Sequence, residues 1–356
     1  MSRRVLVGMS GGVDSSVAAL LLKEQGYAVE GVTLRLCADP DCVTEKVLTA
    51  EEDAALVAKH LDIPHRVWDY SRLFRDTVVD DFAAVYRNGE TPNPCIVCNR
   101  CIKFGRMLDQ ALEEGYDAIA SGHYVRSEWN EETGRWLLKK GADPTRDQSY
   151  VLYMLTQHQL AHILFPLGGY HKPELRQIAE ERGLVTANRP DSQDICFVPD
   201  GDYLSFLETQ MGYRGVPGNF VSEDGCILGE HRGLAAYTIG QRKGLGIAFG
   251  EPRFVVAKDA ATNTVVLGKN ESLFSSSLIA EDANWIMVEK LTEPLRVTAR
   301  TRYQQKEAVA TVEPYGEDGF RVIFDEPQRA VTPGQAVVLY QGDLVVGGGT
   351  IVRGNA

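Results

Sequence analysis

The chain has 356 residues and a formal net charge of −12 at pH 7, with 44% hydrophobic and 24% charged residues. This composition is typical of a globular protein, and the length allows two or three domains with cores of their own. The acidic balance argues against indiscriminate nucleic-acid binding, and no apolar run reaches the ~20 residues of a membrane span, so we expect a cytoplasmic protein without a membrane partner.

The N-terminal half is predicted to alternate between strands and helices. Apolar runs predict strands over 3–9, 27–36, 65–70 and 116–123, and amphipathic spacing predicts helices over 13–23, 49–61, 71–87 and 95–114. Strands separated by helices favour a parallel sheet. Ser121-Gly122-His123 would then lie at the carboxyl edge of the sheet, where ligands of such sheets bind.

A glycine- and serine-rich turn joins the first strand to the first helix. It reads Ser10-Gly11-Gly12-Val13-Asp14-Ser15-Ser16. The glycines allow a ligand to approach the backbone, the helix N-terminus favours an anion, the serines add hydroxyl donors, and Asp14 suits a nucleotide or magnesium ion. The turn resembles the S-G-G-x-D-S loop of enzymes that split ATP between its α and β phosphates. A plain Gly-Ser turn that caps a helix stays open as the alternative.

The seven cysteines are clustered along the chain. They are Cys37 and Cys42, then Cys95, Cys98 and Cys101, then Cys196 and Cys226. An odd number without a secretory signal does not indicate a disulfide framework, so we expect chemistry. Thr91-Pro92-Asn93-Pro94 holds the backbone extended before the helix over 95–114. A cysteine in the first turn of that helix, beside Arg100 and Lys103, is expected to have a depressed pKa.

The C-terminal half changes from helices to strands. A hairpin is predicted over 124–140, a helical stretch over 147–164, and helices over 172–182 and 203–211. After residue 212, short alternating strands are predicted over 254–257, 264–267, 296–302, 308–313, 320–324 and 335–340. Such strands favour a small β domain or a pair of them that ends in a barrel.

Several of these segments together resemble the family of tRNA-specific 2-thiouridylases. The matching pieces are Gly8-Met9-Ser10-Gly11-Gly12-Val13-Asp14-Ser15, Thr91-Pro92-Asn93-Pro94, Cys98-Asn99, Ile102-Lys103-Phe104, Ser121-Gly122-His123-Tyr124, Asp147-Gln148-Ser149-Tyr150, Asp191-Ser192, Ile195-Cys196-Phe197, and Tyr237-Thr238-Ile239-Gly240-Gln241-Arg242-Lys243-Gly244-Leu245-Gly246. Arg302-Tyr303 and Pro333-Gly334-Gln335 in the β-rich tail are similar too.

The resemblance implies an α/β fold and an ATP-dependent sulfurtransferase. It implies an N-terminal parallel-sheet adenine-nucleotide domain of the PP-loop ATP pyrophosphatase type over 1–200, a small central linking domain over 201–275, and a C-terminal β-barrel domain over 276–356. The implied reaction is 2-thiolation of the wobble uridine of tRNA: ATP with Mg²⁺ adenylates the C2 oxygen, and a cysteine persulfide delivers sulfur. A cysteine desulfurase or a sulfur-relay protein would be the persulfide donor.

The resemblance also assigns site residues. Cys98 would be the nucleophile and Cys196 the persulfide carrier, and a disulfide between them would close the cycle. The ATP site would comprise Gly8, Met9, Ser10, Gly11, Gly12, Val13, Asp14, Ser15, Leu34 and Gly122. The target-base segment would be Asn93, Pro94 and Cys95. The tRNA contacts would be His123, Arg146, Asp147, Gln148, Arg302, Tyr303 and Gln335.

Alternatives remain for the cysteines. The family often has Asp at the position of Cys95, so acid/base duty by a carboxylate is lost there. Cys95, Cys98 and Cys196 instead match the C-x-x-C plus distant Cys pattern of tRNA thiolases that hold a [4Fe-4S] cluster, with Cys101 as a fourth ligand or a bystander. Zinc is a further alternative, and Cys196 on local sequence alone suits a buried inert thiol. Rival functions are another PP-loop adenylating ligase or a cysteine-rich metal or redox binding protein.

Overall fold

A computed structural model describes residues 2–37, 45–190, 195–198, 201–247 and 250–354. Cys42 and the Asp191-Ser192 motif lie outside these ranges. Contacts divide the chain into two compact units. Unit 1 comprises Met1–Val78, Cys95–Phe197 and Asp343–Val345, and unit 2 comprises Val79–Pro94, Val198–Gly342 and Val346–Ala356. The chain therefore passes from unit 2 into unit 1 between Pro94 and Cys95.

Unit 1 is built on a five-stranded parallel sheet. The strands of this unit are β1 (Arg4–Gly8), β2 (Ala28–Arg35), β3 (His65–Asp69), β4 (Ala118–Ala120), β5 (Val125–Asn130), β6 (Arg135–Lys140) and β7 (Ile163–Leu164). The sheet order is β3-β2-β1-β4-β7, with every pair parallel. Val5, Leu6 and Val7 of β1 are fully buried, as expected for the central strand of a sheet covered on both faces. β5 and β6 form the antiparallel hairpin.

Nine α-helices accompany the strands within the described residues. They are α1 (Val13–Glu24), α2 (Glu45–His60), α3 (Ser71–Phe74), α4 (Asp80–Arg87), α5 (Pro94–Cys98), α6 (Met107–Glu113), α7 (Gln157–Ala161), α8 (Lys172–Glu181) and α9 (Tyr203–Gln210). Two π-helical stretches, Arg75–Val79 and Asn99–Arg106, interrupt the predicted helices. Short 3₁₀ turns occupy Ser149–Val151, Leu234–Ala236 and Glu271–Leu273. Among the residues described, no helix is long and apolar enough to cross a bilayer.

The strand order creates a switch point in the parallel sheet. The chain runs from β1 to β2 and β3 on one side, and returns to β4 and β7 on the other side. The loops that follow β1 and β4 therefore diverge at the carboxyl ends of two adjacent strands, which is where ligands bind in open α/β sheets. The turn over residues 9–12 and the segment over residues 121–124 occupy those two positions.

Unit 2 contains a small mixed sheet and a barrel. β8 (Gly218–Ser222), β9 (Ile227–His231), β10 (Phe254–Asp259) and β11 (Thr264–Gly268) form a sheet in the order β10-β11-β8-β9. Its core includes Phe220, Val265 and Leu267. α4 also belongs to this unit, and its Tyr86 stacks on Tyr203 of α9 with ring centroids 4.6 Å apart.

The barrel has six strands. They are β12 (Phe274–Trp285), β13 (Leu295–Arg300), β14 (Ala308–Tyr315), β15 (Gly319–Arg329), β16 (Ala336–Gln341) and β17 (Leu344–Gly354). They follow the order β12-β15-β14-β13-β16-β17, and pairing of β12 with β17 closes the barrel. Alternating side chains such as Val297, Ala299, Ala310 and Val312 fill its core.

Most predicted elements of the first 140 residues are confirmed, and one later prediction is wrong. The helix predicted over 147–164 is replaced by a 3₁₀ turn, by α7 and by the edge strand β7. Thr156 caps α7 in a capping box with Gln159, and this local signal divides the stretch. Besides β7, four strands were not predicted, namely β8, β9, β12 and β17. α2 also begins before the predicted Thr49.

Candidate active site

The turn after β1 is closed by its own serine hydroxyls. The Ser10 N–H donates to Ser15 Oγ at 3.1 Å, and Ser15 Oγ donates to the Gly12 carbonyl at 3.2 Å. Ser16 Oγ donates to the same carbonyl at 2.8 Å and accepts from Thr186 Oγ1 at 3.0 Å. Ser15 and Ser16 are buried, whereas Ser10 is exposed. The hydroxyls of Ser15 and Ser16 therefore both donate within the protein, and the exposed Ser10 hydroxyl is the one best placed to serve a ligand.

Two glycines set the shape of this turn. Gly11 has φ +73°, and a Cβ built there would lie 2.4 Å from the Ala50 carbonyl oxygen of α2. A Cβ at Gly122 would lie 3.0 Å from the backbone of Asp14 and Ser15. The loops after β1 and β4 thus pack backbone against backbone, and only glycine fits at these two contacts. The structure brings Gly122 to the turn, as the ATP-site prediction requires.

The other members of the predicted ATP site lie in the core, at the N-terminus of α1 or near the sheet edge. Met9 and Val13 are buried core residues. The Met9 N–H donates to the Val32 carbonyl at 2.8 Å, and its carbonyl accepts from Thr33 Oγ1 at 2.9 Å. Leu34 is half-buried near the end of β2. Gly12 is the N-cap of α1 without a side-chain cap hydrogen bond, which suits an anion at this helix N-terminus.

Asp14 is held by a buried lysine and a tyrosine. Lys172 Nζ donates to both carboxylate oxygens, at 2.8 and 2.9 Å, and the Lys172 side chain is only 7% exposed. The Tyr124 hydroxyl donates to Asp14 Oδ1 at 2.6 Å. The carboxylate is therefore already paired with a cation, so its oxygens are poorly suited to be the principal ligands of a magnesium ion.

Tyr124 also connects the turn to the loop that carries the predicted RNA contacts. Its backbone N–H donates to Gln148 Oε1 at 2.9 Å, and its carbonyl accepts from the Gln148 N–H at 3.2 Å. Asp147 is buried and accepts from the Ser149 N–H and hydroxyl at 3.1 and 2.9 Å. Arg146 is half-exposed. Asp147 and Gln148 thus shape this loop, and Arg146 presents the charge.

The cysteine helix has two kinds of helical geometry. Pro94–Cys98 is an α-helical turn that continues as the π-helix Asn99–Arg106. Cys98 is buried, whereas Cys95 is exposed and Cys101 half-buried. Asn99 is also buried and donates through Nδ2 to the Val151 carbonyl at 3.0 Å. A π-helical stretch is often found at a functional site because it displaces side chains from regular α positions.

The thiols of this helix and of Cys196 interact electrostatically. Burial of the sulfur raises the pKa of Cys98, with further increases from Cys95 and Cys101, while Lys103 opposes them. Although Cys196 is partly in contact with solvent, burial of its sulfur and then the Cys98 thiol raise its pKa to about 12. The structure therefore brings Cys98 and Cys196 together within unit 1.

The prediction of a depressed cysteine pKa in the first helical turn is wrong. Although Cys95 as a residue is exposed, burial of its sulfur atom raises its pKa, and Lys103 only partly offsets that effect. The ammonium group of Lys103 and the N-terminus of a one-turn helix favour the thiolate form of a cysteine. The low polarity around the sulfur disfavours that form more strongly, so the pKa rises. Lys103 is nevertheless the cation that acts on all three thiols.

The predicted cluster ligands do not form a metal site. Across the described ranges, no group of three or more His, Cys, Asp or Glu side chains has an arrangement that could hold a metal ion. Cys95, Cys98 and Cys196 are all among these residues. The donor set as arranged here does not fit a [4Fe-4S] cluster or zinc.

His123 is a neutral imidazole in this site. Its Nδ1 lies 2.8 Å from Ser121 Oγ, and its ring centroid lies 5.4 Å from that of Phe104. Burial and the charge of Lys103 hold the pKa of His123 well below its usual range. His123 can therefore offer hydrogen bonds and a stacking surface at neutral pH, but no positive charge for a phosphate.

The remaining predicted residues lie in unit 2. Arg302 Nη2 donates to the Ala330 carbonyl at 2.9 Å and to Thr332 Oγ1 at 3.0 Å. Tyr303 is 40% exposed. Gln335 Nε2 donates to the carbonyls of Thr91 and Pro92, at 2.9 and 3.0 Å. The segment before Asn93 and Pro94 is therefore held by the barrel's own loop.

Lys172 and the hydroxyl of Tyr124 were not predicted as site residues. Lys172 is the first residue of α8, where a positive charge opposes the helix dipole. That unfavourable placement was a signal in the sequence that the lysine has an acidic partner. The partner itself, Asp14, could not be identified from the sequence because it is distant along the chain.

Family models match the chain in three consecutive ranges. A tRNA methyl transferase HUP domain model matches residues 3–200, a tRNA methyl transferase PRC-barrel domain model matches residues 204–269, and an aminomethyltransferase beta-barrel domain model matches residues 275–351. The parallel sheet, the small mixed sheet and the six-stranded barrel lie in these ranges in that order. The predicted fold class is therefore confirmed.

The chain is also similar to proteins along its full length. The tRNA-specific 2-thiouridylase MnmA of Clostridioides difficile (strain 630) is 51% identical over 357 residues, covering 99% of each chain. That of Moorella thermoacetica is 52% identical over 354 residues, covering 97% of this chain and 98% of the other. A solved U34-tRNA thiolase NcsA from Methanococcus maripaludis with its [4Fe-4S] cluster is 19% identical, covers 58% of this chain and 66% of that one, and has a TM-score of 0.34. Such a score supports no argument about a cluster here, whereas the first two similarities extend over whole chains. The chain belongs to the MnmA family of tRNA-specific 2-thiouridylases.

Proposed function

We propose that this protein is an ATP-dependent tRNA-uridine 2-sulfurtransferase that replaces the C2 oxygen of the wobble uridine with sulfur. The observation that carries the proposal is the grouping of Cys98 and Cys196 in the unit that holds the glycine-rich turn. A thiol pair supports sulfur transfer, and the turn at the switch point supports a nucleotide step. The names of the relatives supply the substrate class, tRNA, and the type of modification.

The first proposed step is adenylation. The C2 oxygen attacks the α-phosphorus of ATP, which forms a C2–O–AMP ester and releases pyrophosphate. The ATP site is the turn Gly8 to Ser15 with Leu34 and Gly122, and the uncapped N-terminus of α1 supports this placement. Lys172 keeps Asp14 in place, so we assign Mg²⁺ to the phosphates of ATP rather than to that carboxylate.

The second proposed step is sulfur transfer. The terminal sulfur of a persulfide on Cys196 attacks C2, and AMP leaves with the original oxygen. The Cys98 thiolate then attacks the Cys196 sulfur, which releases 2-thiouridine and forms a Cys98–Cys196 disulfide that a dithiol must reduce. With a pKa of about 12, the Cys196 thiol is protonated near neutral pH. This favours transfer from a persulfide, which is more acidic than a thiol, over attack by the thiol itself.

We assign the recognition of tRNA to both units. The proposed target-base segment is Asn93, Pro94 and Cys95, and the proposed RNA contacts are His123, Arg146, Asp147, Gln148, Arg302 and Tyr303. Gln335, which the resemblance also places at the tRNA, donates to the carbonyls of Thr91 and Pro92 just before the target-base segment. The half-exposed Arg146 and the exposed Tyr303 are the side chains best suited to direct contact. Asp147 and Gln148 support the loop of Arg146, and His123 adds a neutral surface.

The remaining assignments concern domains, location and sulfur supply. We propose domains over 1–200, 201–275 and 276–356, which the ranges of the family models support. A cytoplasmic location suits a tRNA substrate and a mechanism that needs reducible cysteines. A cysteine desulfurase or a relay protein is the class of partner that would load Cys196. No step is assigned to an iron–sulfur cluster because the thiols as arranged do not fit one.

The test measures both steps in parallel. Pyrophosphate release from ATP and Mg²⁺ is followed with and without tRNA, and the tRNA is then digested and analysed for 2-thiouridine. We expect pyrophosphate only with tRNA, and thiouridine from the wild type but not from Cys98→Ser or Cys196→Ser. Cys226→Ser is the matched control because that exposed thiol lies in unit 2.

Two results would contradict the proposal. If pyrophosphate is released at the same rate with and without tRNA, the protein is an ATP-splitting enzyme of another kind, such as an amide-forming ligase. Thiouridine formed by either cysteine variant would show that sulfur travels by another route.

A further inference from the structure

The loop between β15 and β16 is hydrogen-bonded to the segment that leads to the cysteine helix. Gln335 Nε2 donates to the carbonyls of both Thr91 and Pro92, at 2.9 and 3.0 Å. In return, the Thr91 N–H donates to the Pro333 carbonyl at 3.2 Å. A Cβ at Gly334, which has φ +85°, would lie 2.9 Å from the Thr91 oxygen. One side-chain amide and one glycine therefore fix two consecutive peptide groups.

The loop between β15 and β16 is itself held in a defined conformation. It begins at Ala330, which has φ +56° and is 2% exposed. A left-handed alanine costs about 1–2 kcal/mol and persists only where its surroundings enforce it. Arg302 enforces it here, since its Nη2 donates to the Ala330 carbonyl and to Thr332 Oγ1. Hydrogen bonds other than those to Thr91 therefore help to hold the loop in this conformation.

Thr91 and Pro92, whose carbonyls accept these hydrogen bonds, directly precede the proposed target-base segment. Pro92 is followed by Asn93, Pro94 and Cys95, and both prolines have a fixed φ and no N–H. The chain enters unit 1 at Cys95, the second residue of α5. A restraint on Thr91 and Pro92 therefore leaves little conformational freedom before the cysteine helix begins.

We infer that Gln335 is a positioning residue, whose side-chain amide fixes the approach of Asn93, Pro94 and Cys95 to the target base. The inference rests on the proposed function and gives Gln335 a role within the protein. Its contribution is to turnover rather than to tRNA affinity. Gly334 shares this role because it lets the loop come within contact of Thr91.

The first experiment needs neither ATP nor tRNA. Hydrogen exchange is measured for the amides of Thr91, Asn93 and Cys95 in the full-length protein. Gln335→Glu removes both donors at constant size, and we expect exchange at Thr91 to be about tenfold faster. Gln341→Glu is the matched control, because Gln341 also donates from its side-chain amide to a barrel carbonyl, that of Arg296 at 2.8 Å. Unchanged exchange in Gln335→Glu would overturn the inference.

The second experiment separates positioning from RNA contact. We expect Gln335→Glu to lower the rate of thiouridine formation at saturating tRNA by about tenfold, with the KM for tRNA changed less than twofold. Gly334→Ala, which leaves Gln335 intact, should show the same pattern, and Gln341→Glu should behave as the wild type. A higher KM with unchanged turnover would make Gln335 an RNA contact and overturn the inference. If the wild type forms no thiouridine, the proposed function is refuted instead. The hydrogen-exchange result then still decides whether Gln335 restrains Thr91.

Discussion

The glycine-rich turn and the cysteine helix both lie in unit 1, yet their chemistry is set in different ways. The turn is closed by local hydrogen bonds, from the Ser10 N–H to Ser15 Oγ and from Ser15 Oγ to the Gly12 carbonyl. The reactivity of the cysteine helix depends on how it packs, since burial raises the pKa of both Cys98 and Cys196, and the Cys98 thiol raises that of Cys196 further. A sequence motif therefore predicts backbone geometry where residues close in sequence also contact one another. It predicts the reactivity of a side chain only when the packing around that side chain is known.

The largest expected effect concerns the reactivity of the Cys196 thiol. With a pKa of about 12, its thiolate fraction at pH 7 is about a thousandfold smaller than that of an ordinary cysteine. Alkylation of Cys196 by iodoacetamide should therefore rise about tenfold per pH unit from pH 7 to 10 without a plateau. Peptide mass spectrometry measures it, with the exposed Cys226 as the internal reference for the reagent. A plateau below pH 9 would show that burial does not raise the pKa of the Cys196 thiol.

Gly11→Ala should show how strictly the turn is fixed. The new methyl would meet the Ala50 carbonyl at 2.4 Å in a left-handed backbone conformation. We expect the free energy of unfolding to fall by about 1–3 kcal/mol and tRNA-dependent pyrophosphate release to be lost. Gly26→Ala is the control, because Gly26 has φ +86° with nothing within 4 Å. Equal loss of ATP use in both variants would show that the close contact at Gly11 is irrelevant.

Removal of the Lys172 ammonium tests the link between the turn and α8. Lys172→Met should lower the free energy of unfolding by about 1–3 kcal/mol, because the partly buried Asp14 carboxylate loses its cation. Asp14→Asn in the same background should restore part of that loss, since it removes the unpaired charge. Urea unfolding of the two single variants and the double variant measures the coupling. Strictly additive effects would mean that the pair contributes nothing.

The smallest expected effect is that of the Tyr124 hydroxyl. Tyr124→Phe removes one hydrogen bond to Asp14 and leaves the backbone bonds to Gln148 intact. We expect a loss of about 0.5–1.5 kcal/mol in unfolding free energy and an increase in the KM for ATP. The KM for tRNA should not change, because the loop of Arg146 is held by the backbone. A change confined to tRNA would place this tyrosine at the RNA rather than at the nucleotide turn.

Local patterns predicted the elements around the turn well and the cysteine environment poorly. The strand–turn–helix over the first 24 residues follows from apolar runs and glycines, and the structure confirms it. The burial that raises the pKa of Cys98 depends on the packing of a π-helix, which helical spacing does not distinguish from an α-helix. Lys172, the partner of Asp14, could not be identified because the two residues are far apart in sequence. Strand β7 was mistaken for a helix because two residues are too short to show alternation.

The central claim is that Cys196 carries the sulfur and that Cys98 releases it. The most direct measurement is one anaerobic turnover by enzyme whose Cys196 carries a ³⁵S-labelled terminal persulfide sulfur, with ATP, Mg²⁺ and tRNA but no other sulfur source. We predict that the label moves to 2-thiouridine, while a disulfide-linked peptide pair containing Cys98 and Cys196 appears in equal amount. Label that stays on the protein after pyrophosphate is released, or thiouridine formed without that disulfide, would contradict the account.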